Sequence, residues 1–267
     1  MNNEAQLEFA KNLALEAGKI MRKYFRSSIL EVSRKKDNTP VTQADIKINE
    51  LVIKEVKKAY PEYGILGEEI SYKPEREMVW IVDPLDGTIP FTLGMPTSTF
   101  LLALVDRKDG QPIVAVVYDP YLKKMYTAIK HQGAYLNDQP IKTNPTKSME
   151  KGYVSTYPSS YMSDKVDYSP GKMWDDIRSK GVRNILLSSG AYTGSKVASG
   201  EFLAFMGGPS HPWDVASLAL LIQEAGGVIT DLEGNKRRFD AFGEKGHIMS
   251  ANKKIHDTLL SYIKVTK

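Results

Sequence analysis

Apolar positions set two different rhythms along this chain of 267 residues. Between residues 4 and 26 they fall at Leu7, Ala10, Leu13, Ala14, Ala17, Ile20, Met21 and Tyr24. That spacing follows the 3.6-residue period of an amphipathic helix. The polar stretch SRKKDNTP interrupts it, and TQADIKINELVIKEVKKAY resumes the period. Thr42 is placed to cap this second helix, with Asp45 three residues on in capping-box position. Pro61 and Gly64 close it. MVWIV then reads as a short strand. STFLLALVDR and PIVAVVYD are β-rich runs separated by KDGQ, a hairpin signal. KMYTAIK and GAYLN extend an antiparallel series.

Near residue 150 the rhythm changes to alternating short strands and helices. GYVSTY, NILLSS, EFLAFMGG, VITD and HIMSA read as extended. MWDDIRSKG, GAYTGSKVAS, PWDVASLALLIQEAGG and a closing NKKIHDTLLSYIKV read as helical. YPSSYMSDKVDYSPG reads as a loop, placed to lie over a site. The division predicts an N-terminal α+β subdomain over 1–150 and a C-terminal α/β subdomain over 151–267, layered as an α/β sandwich.

Composition narrows the chemistry. The chain has no cysteine, which excludes disulfides, thiolate catalysis and thiolate zinc sites. Its four histidines, His131, His211, His247 and His256, show no zinc-protease spacing. Any metal chemistry must therefore use oxygen donors, which select hard cations such as Mg²⁺, Ca²⁺ or Mn²⁺. The net charge is +4, and no basic stripe accompanies it, which argues against nucleic acid as a partner. The mild excess equally suits an anionic small molecule. No apolar run reaches the roughly 20 residues of a membrane span. The N-terminal stretch mixes acids among its apolar residues, without a signal-peptide core. The expected location is cytoplasmic.

Six acids fall where strands end or helices begin: Asp45, Glu68, Glu69, Asp83, Asp86 and Asp214. Taken singly, most have ordinary readings. Glu68 and Glu69 read as loop charges, Asp45 as a capping-box acid, and Asp214 as a first-turn acid favoured by the helix dipole. Asp83 and Asp86 are harder to place this way. Unit charges about 4 Å apart repel by roughly 4 kcal/mol at an effective dielectric near 20. A cation or proton between them removes that cost. Gly87 then permits close approach of backbone to a ligand. Thr88 supplies a hydroxyl, and a helix starting here would offer free N–H groups to an anion.

These residues carry a resemblance. TPVTQAD, GEE at 67–69, WIVDPLDGT at 80–88, WDVA at 213–216 and EAGG at 224–227 stand in the order found in the inositol monophosphatase family, the lithium-sensitive, magnesium-dependent phosphatases. The resemblance spans nearly the whole chain. It implies a five-layered αβαβα sandwich, a homodimer, and hydrolysis of a small phosphomonoester with two or three Mg²⁺ ions, Mn²⁺ being an alternative. By position, Glu68, Asp83 and the Leu85 carbonyl hold a first ion. Asp83, Asp86 and Asp214 hold a second, and Glu68 with Asp45 a weaker third. The resemblance gives Gly87 and Thr88 the phosphate, and Thr88 with Asp45 the attacking water. Glu69 orients Glu68 or a metal-bound water, and Lys36 lies near the site.

The chain departs from the family at several positions. Pro90 replaces an asparagine in DGTIPF. Inositol-specific members often carry a glutamate seven residues before the last metal aspartate; Gly207 stands there. Leu218 replaces a smaller residue after that aspartate. FTLGMPTSTF resembles the histidinol-phosphate phosphatase branch at least as closely. Substrate candidates therefore include inositol phosphate, histidinol phosphate, fructose bisphosphate and a nucleotide 3′-phosphate. Ser188, Ser189, Tyr192 and His211 are polar candidates for contacting the leaving group, each also readable as an ordinary loop or helix-start residue. A catalytically silent, ligand-binding regulatory protein is the competing reading from another class.

Overall fold

Phe100, Leu102 and Leu104 turn to one side of a sheet, while Leu101, Ala103 and Val105 turn to the other. Successive strand residues point to opposite faces, so this continuous apolar run buries both. The computed structural model describes residues 3–35, 39–156, 166–168, 170–240, 242–243 and 245–265. The chain opens with α1 (Asn3–Tyr24), the antiparallel pair β1 (Val32–Arg34) and β2 (Pro40–Thr42), and α2 (Gln43–Ala59). A seven-stranded sheet follows, made of β3 (Gly64–Gly67), β4 (Met78–Asp86), β5 (Thr99–Asp106), β6 (Gln111–Asp119), β7 (Lys124–Ile129), β8 (Ala134–Leu136) and β9 (Gln139–Ile141). These strands lie in chain order, all antiparallel except the β3–β4 pair. The short α3 (Thr88–Thr92) links β4 to β5.

The second half contains β10 (Tyr153–Thr156), β11 (Val166–Tyr168), α4 (Pro170–Ser179), β12 (Arg183–Asn184), α5 (Gly190–Ala198), β13 (Ala204–Ser210), α6 (Pro212–Glu224), β14 (Val228–Asp231), β15 (Lys245–Ser250), α7 (Lys253–Leu260) and β16 (Ile263–Val265). Five of these strands form a sheet in the order β12-β10-β13-β15-β14.

The layers follow from which side chains share a core. Ala10, Leu13 and Ala17 of α1 and Ile48 and Val52 of α2 pack on Trp80, Val82, Leu102 and Val116. On the opposite face, Val79, Ile81, Ala103 and Val117 meet Val197 of α5 and Val215, Leu218 and Ile222 of α6. That middle layer also packs on Phe205 and Met249 of the second sheet. The far side of the second sheet is covered by Met173 and Ile177 of α4 and Ile255 and Leu259 of α7. The order is helix, sheet, helix, sheet, helix. It explains why α6 is apolar all round: a helix between two sheets has no solvent face.

Several elements differ from the sequence expectation, the short strands β1, β2, β3 and β9 being unforeseen. The strand starting at MVWIV runs on through Pro84 to Asp86, with its register against β5 shifting between Asp83 and Asp86. The two aspartates therefore sit on the irregular end of the strand rather than after it. Of NILLSS only Asn184 is in a strand, the two-residue Arg183–Asn184. The closing helix stops at Leu260, and Ile263–Val265 pairs with Val166–Tyr168, part of the segment read as a loop. Most of that segment lies outside the described residues.

Candidate active site

A cleft of about 480 Å³ opens where the two sheets point their strand ends at the middle helices. Lys35, Glu68, Asp86, Gly87, Thr88, Ser188, Ser189, Gly190, His211, Trp213 and Asp214 line it. Glu68 comes from the loop just after β3, Asp86 from β4, Gly87 and Thr88 from the N-cap and first residue of α3, and Asp214 from the first turn of α6. Asp83 lies beneath them, only 2 % exposed. Tyr192 is not among the lining residues, although Ser189 and His211 are.

Burial dominates the electrostatics, and crowding of like charges adds to it. Burial raises the Asp83 carboxyl well above its ordinary range, and the charges of Glu68, Asp86 and Asp214 push it further. Asp214 is raised by burial and then by Glu68 and Asp86, against the opposing pull of the His211 N–H and Arg237. Burial lifts Asp86 to about 6 and Glu69 to about 7. Asp45 is carried to about 6, again mainly by burial.

Each acid is turned onto a protein donor. Asp83 Oδ1 accepts the Leu85 N–H at 2.9 Å. Asp214 Oδ2 accepts the His211 N–H at 2.6 Å. Asp86 Oδ2 accepts the Ser189 hydroxyl and, at 3.1 Å, the Ala191 N–H. Asp45 divides its oxygens: Oδ2 accepts the Thr42 N–H at 2.8 Å, completing the capping box, and Oδ1 accepts the Thr88 hydroxyl at 3.2 Å. The ordinary and the chemical readings of Asp45 thus occupy different atoms. The Thr88 hydroxyl also lies 3.3 Å from the buried Leu85 carbonyl.

No three acidic or histidine groups among the described residues are turned together tightly enough to grip one ion as they stand. Their chemistry still fits a hard divalent cation. The donors are all oxygen, they repel one another, and their burial favours either protons or a counter-cation. Rotation about χ1 moves a carboxylate between staggered positions, while its terminal torsion turns over a broad range.

Two basic residues at the site escaped the sequence reading. The Lys35 ammonium lies 2.6 Å from both Glu68 and Glu69. Burial pulls its pKa down, but the two carboxylates outweigh this and raise it. Its only signal was its place in SRKKD; Lys36, the lysine singled out, lies outside the described residues. Arg237 is 4 % exposed and donates to the Ser210 hydroxyl and carbonyl, both at 3.0 Å, at the corner just before Asp214. Burial lowers it to about 10. In the sequence it stands only within the short basic run NKRRF.

The glycine at 207 has a structural reason. A Cβ there would stand 2.2 Å from the His247 ring, which occupies the space and bonds Ser210 at 3.1 Å through Nδ1.

The profile of the inositol monophosphatase family matches residues 2–266. The chain belongs to the inositol monophosphatase family. Family members are phosphatases, so the protein is a hydrolase of phosphomonoesters, and the family is metal-dependent. The chain is 30 % identical to a histidinol-phosphatase of Chlorobaculum parvum, over 96 % of each protein. It is also 30 % identical to the Nus factor SuhB of Pseudomonas aeruginosa, over 97 % of this chain and 96 % of that one. The Thermotoga maritima IMPase superposes with a TM-score of 0.83 at 27 % identity, covering 97 % of this chain and 96 % of the other. That likeness accords with the layered sandwich. Among the described residues no helix is long and apolar enough to cross a membrane.

Proposed function

We propose that this inositol monophosphatase-family member is a Mg²⁺-dependent hydrolase of a small alcohol phosphomonoester, acting by in-line attack of water on phosphorus. The observation that carries the reading is convergence: Glu68, Asp86, Thr88 and Asp214, from three separate elements and a loop, face one cleft above the buried Asp83. A fold that held four like charges there for stability alone would be destabilised by their repulsion. The donor set fits a first Mg²⁺ at Glu68, Asp83 and the Leu85 carbonyl. Asp83, Asp86 and Asp214 fit a second, and Glu68 with Asp45 a weaker third. Bound there, the ions supply Lewis-acid polarisation and neutralise charge on the transferring phosphoryl group.

The chain's own groups do the rest. Gly87 has φ +82°, which lets the backbone turn its N–H and that of Thr88 toward a phosphate oxygen. The Thr88 hydroxyl hydrogen-bonds Asp45 and so presents a lone pair to the attacking water; as the water attacks, its proton passes to the Thr88 oxygen while the Thr88 proton passes to Asp45. Asp45, raised to about 6, is poised to hold that proton near neutral pH. Holding water and phosphorus in line is the main service asked of the protein.

On the leaving group, Gly207 favours a substrate other than inositol phosphate. The His247 ring fills the space where a glutamate side chain would start. Histidinol phosphate is therefore the second reading, in keeping with the name of the Chlorobaculum parvum relative. One assay decides: turnover of inositol phosphate, histidinol phosphate, fructose bisphosphate and a nucleotide 3′-phosphate, with and without Mg²⁺. We expect Mg²⁺-dependent release of phosphate from one of them. No turnover with any divalent ion would favour the silent, regulatory alternative. Lithium inhibition and a homodimer belong to the same reading, and are checked by adding Li⁺ to that assay and by light scattering.

A further inference from the structure

Ser189 was a candidate for contacting substrate, yet its hydroxyl is turned the other way. It is 1 % exposed and donates to Asp86 Oδ2. The same oxygen atom of Ser189 accepts the Tyr192 N–H at 3.1 Å, as the N-cap of α5. The next free N–H of that helix, from Ala191, reaches Asp86 Oδ2 as well, at 3.1 Å. A relay therefore runs from the backbone of one half of the molecule, through one hydroxyl, to a carboxylate of the other half. Both donors converge on Oδ2, leaving Oδ1 as the oxygen available to the cleft. Oδ1 faces Gly190, where even a Cβ would stand at an ordinary contact distance of 3.8 Å. Ser189 also braces the neighbouring residue: a Cβ on Gly87 would lie 3.0 Å from the Ser189 Cβ.

We infer that Ser189 is a positioning residue that fixes Asp86 to present Oδ1 alone to a divalent cation, tying the ion's affinity to the N-terminus of α5. The inference rests on the metal-dependent reading above. A carboxylate with one oxygen locked by two donors loses less rotational freedom on binding an ion, and outer hydrogen bonds of this kind set ligand orientation.

The test is Mn²⁺ titration of the whole protein, read by calorimetry rather than by turnover, for wild type, Ser189→Ala and Ser189→Gly. Both variants remove the hydroxyl donor, but glycine is a far better N-cap than alanine. We expect affinity to fall about tenfold in both, while the melting temperature falls mainly in Ser189→Ala. In an Asp86→Asn background, removing the hydroxyl should cost no further affinity. The substrate KM at saturating cation should stay unchanged. Saturable binding that both variants leave within twofold of wild type overturns this inference alone. So does a raised substrate KM with cation affinity intact, which would return Ser189 to substrate contact. No saturable binding by the wild type overturns both this inference and the functional reading beneath it.

Discussion

Asp83 is buried and pressed by Glu68, Asp86 and Asp214 at once. Both proposed principal ions share it, so Asp83→Asn should lower the rate about 100-fold or more. Steady-state kinetics at saturating Mg²⁺ check this, and wild-type-like turnover would refute the assignment. The same crowding sets a pH dependence. Asp45 and Asp86 are raised to about 6 and Glu69 to about 7, each above its ordinary range. A raised carboxyl contributes stability below its unfolded pKa and loses it as pH rises through the folded value. The metal-free protein therefore loses this contribution between about pH 4 and 7. His247 and His256, depressed by burial to about 3 and about 4, act in the opposite sense. Their contribution is present above the ordinary histidine value and is lost as pH falls. A cation relieves only the carboxylates. The rise in melting temperature on adding Mg²⁺ should thus be small near pH 5 and grow toward pH 8. A shift that did not vary with pH would contradict the cluster. The acids themselves were readable because their motifs are contiguous. Lys35, and the turn of Ser189 onto Asp86, were not: each depends on a partner 33 or more residues away.

Elements were legible where a period repeats over several turns. The first two helices are such cases, since one side of each is set by its neighbours' apolar faces; the β5–β6 hairpin was legible instead as two apolar runs around KDGQ, buried on both faces. Short elements fared worse. The last strand, Ile263–Val265, owes its extended form to pairing with Val166–Tyr168, nearly 100 residues earlier, and carries no local signal. The irregular end of β4 was likewise invisible, because Pro84 reads as a terminator while β5 continues to pair beyond it, at Thr99. Strand β13 makes a testable point about packing. Gly207→Ala would drive a methyl group into the His247 ring at 2.2 Å, within a layer that has no solvent face. Overpacking of this kind costs about 1–3 kcal/mol. Urea denaturation should show that loss, and His247→Ala should restore part of it. An unchanged midpoint in Gly207→Ala would mean that the ring moves freely.

At the scale of the molecule, the two halves divided at residue 150 do not own separate interiors. Ile81 and Val117 of the first sheet share a core with Phe205 and Met249 of the second through α5 and α6. The shared interior predicts one unfolding transition. Melts followed by backbone and by aromatic signals should coincide, and two resolved steps would show the halves to be independent. The helix at the centre has a further consequence. Asp214 stands at the front of α6, and Glu224 at its back, where its two oxygens accept the His131 and Gly133 N–H groups at 2.7 and 2.8 Å. The span between them is a rod about 15 Å long, clamped by sheets on two sides. Such a rod cannot bend to let a guest in or out. Traffic through the cleft is therefore the business of its lips, and whatever adjusts to a guest is the turning of carboxylates around a fixed axle.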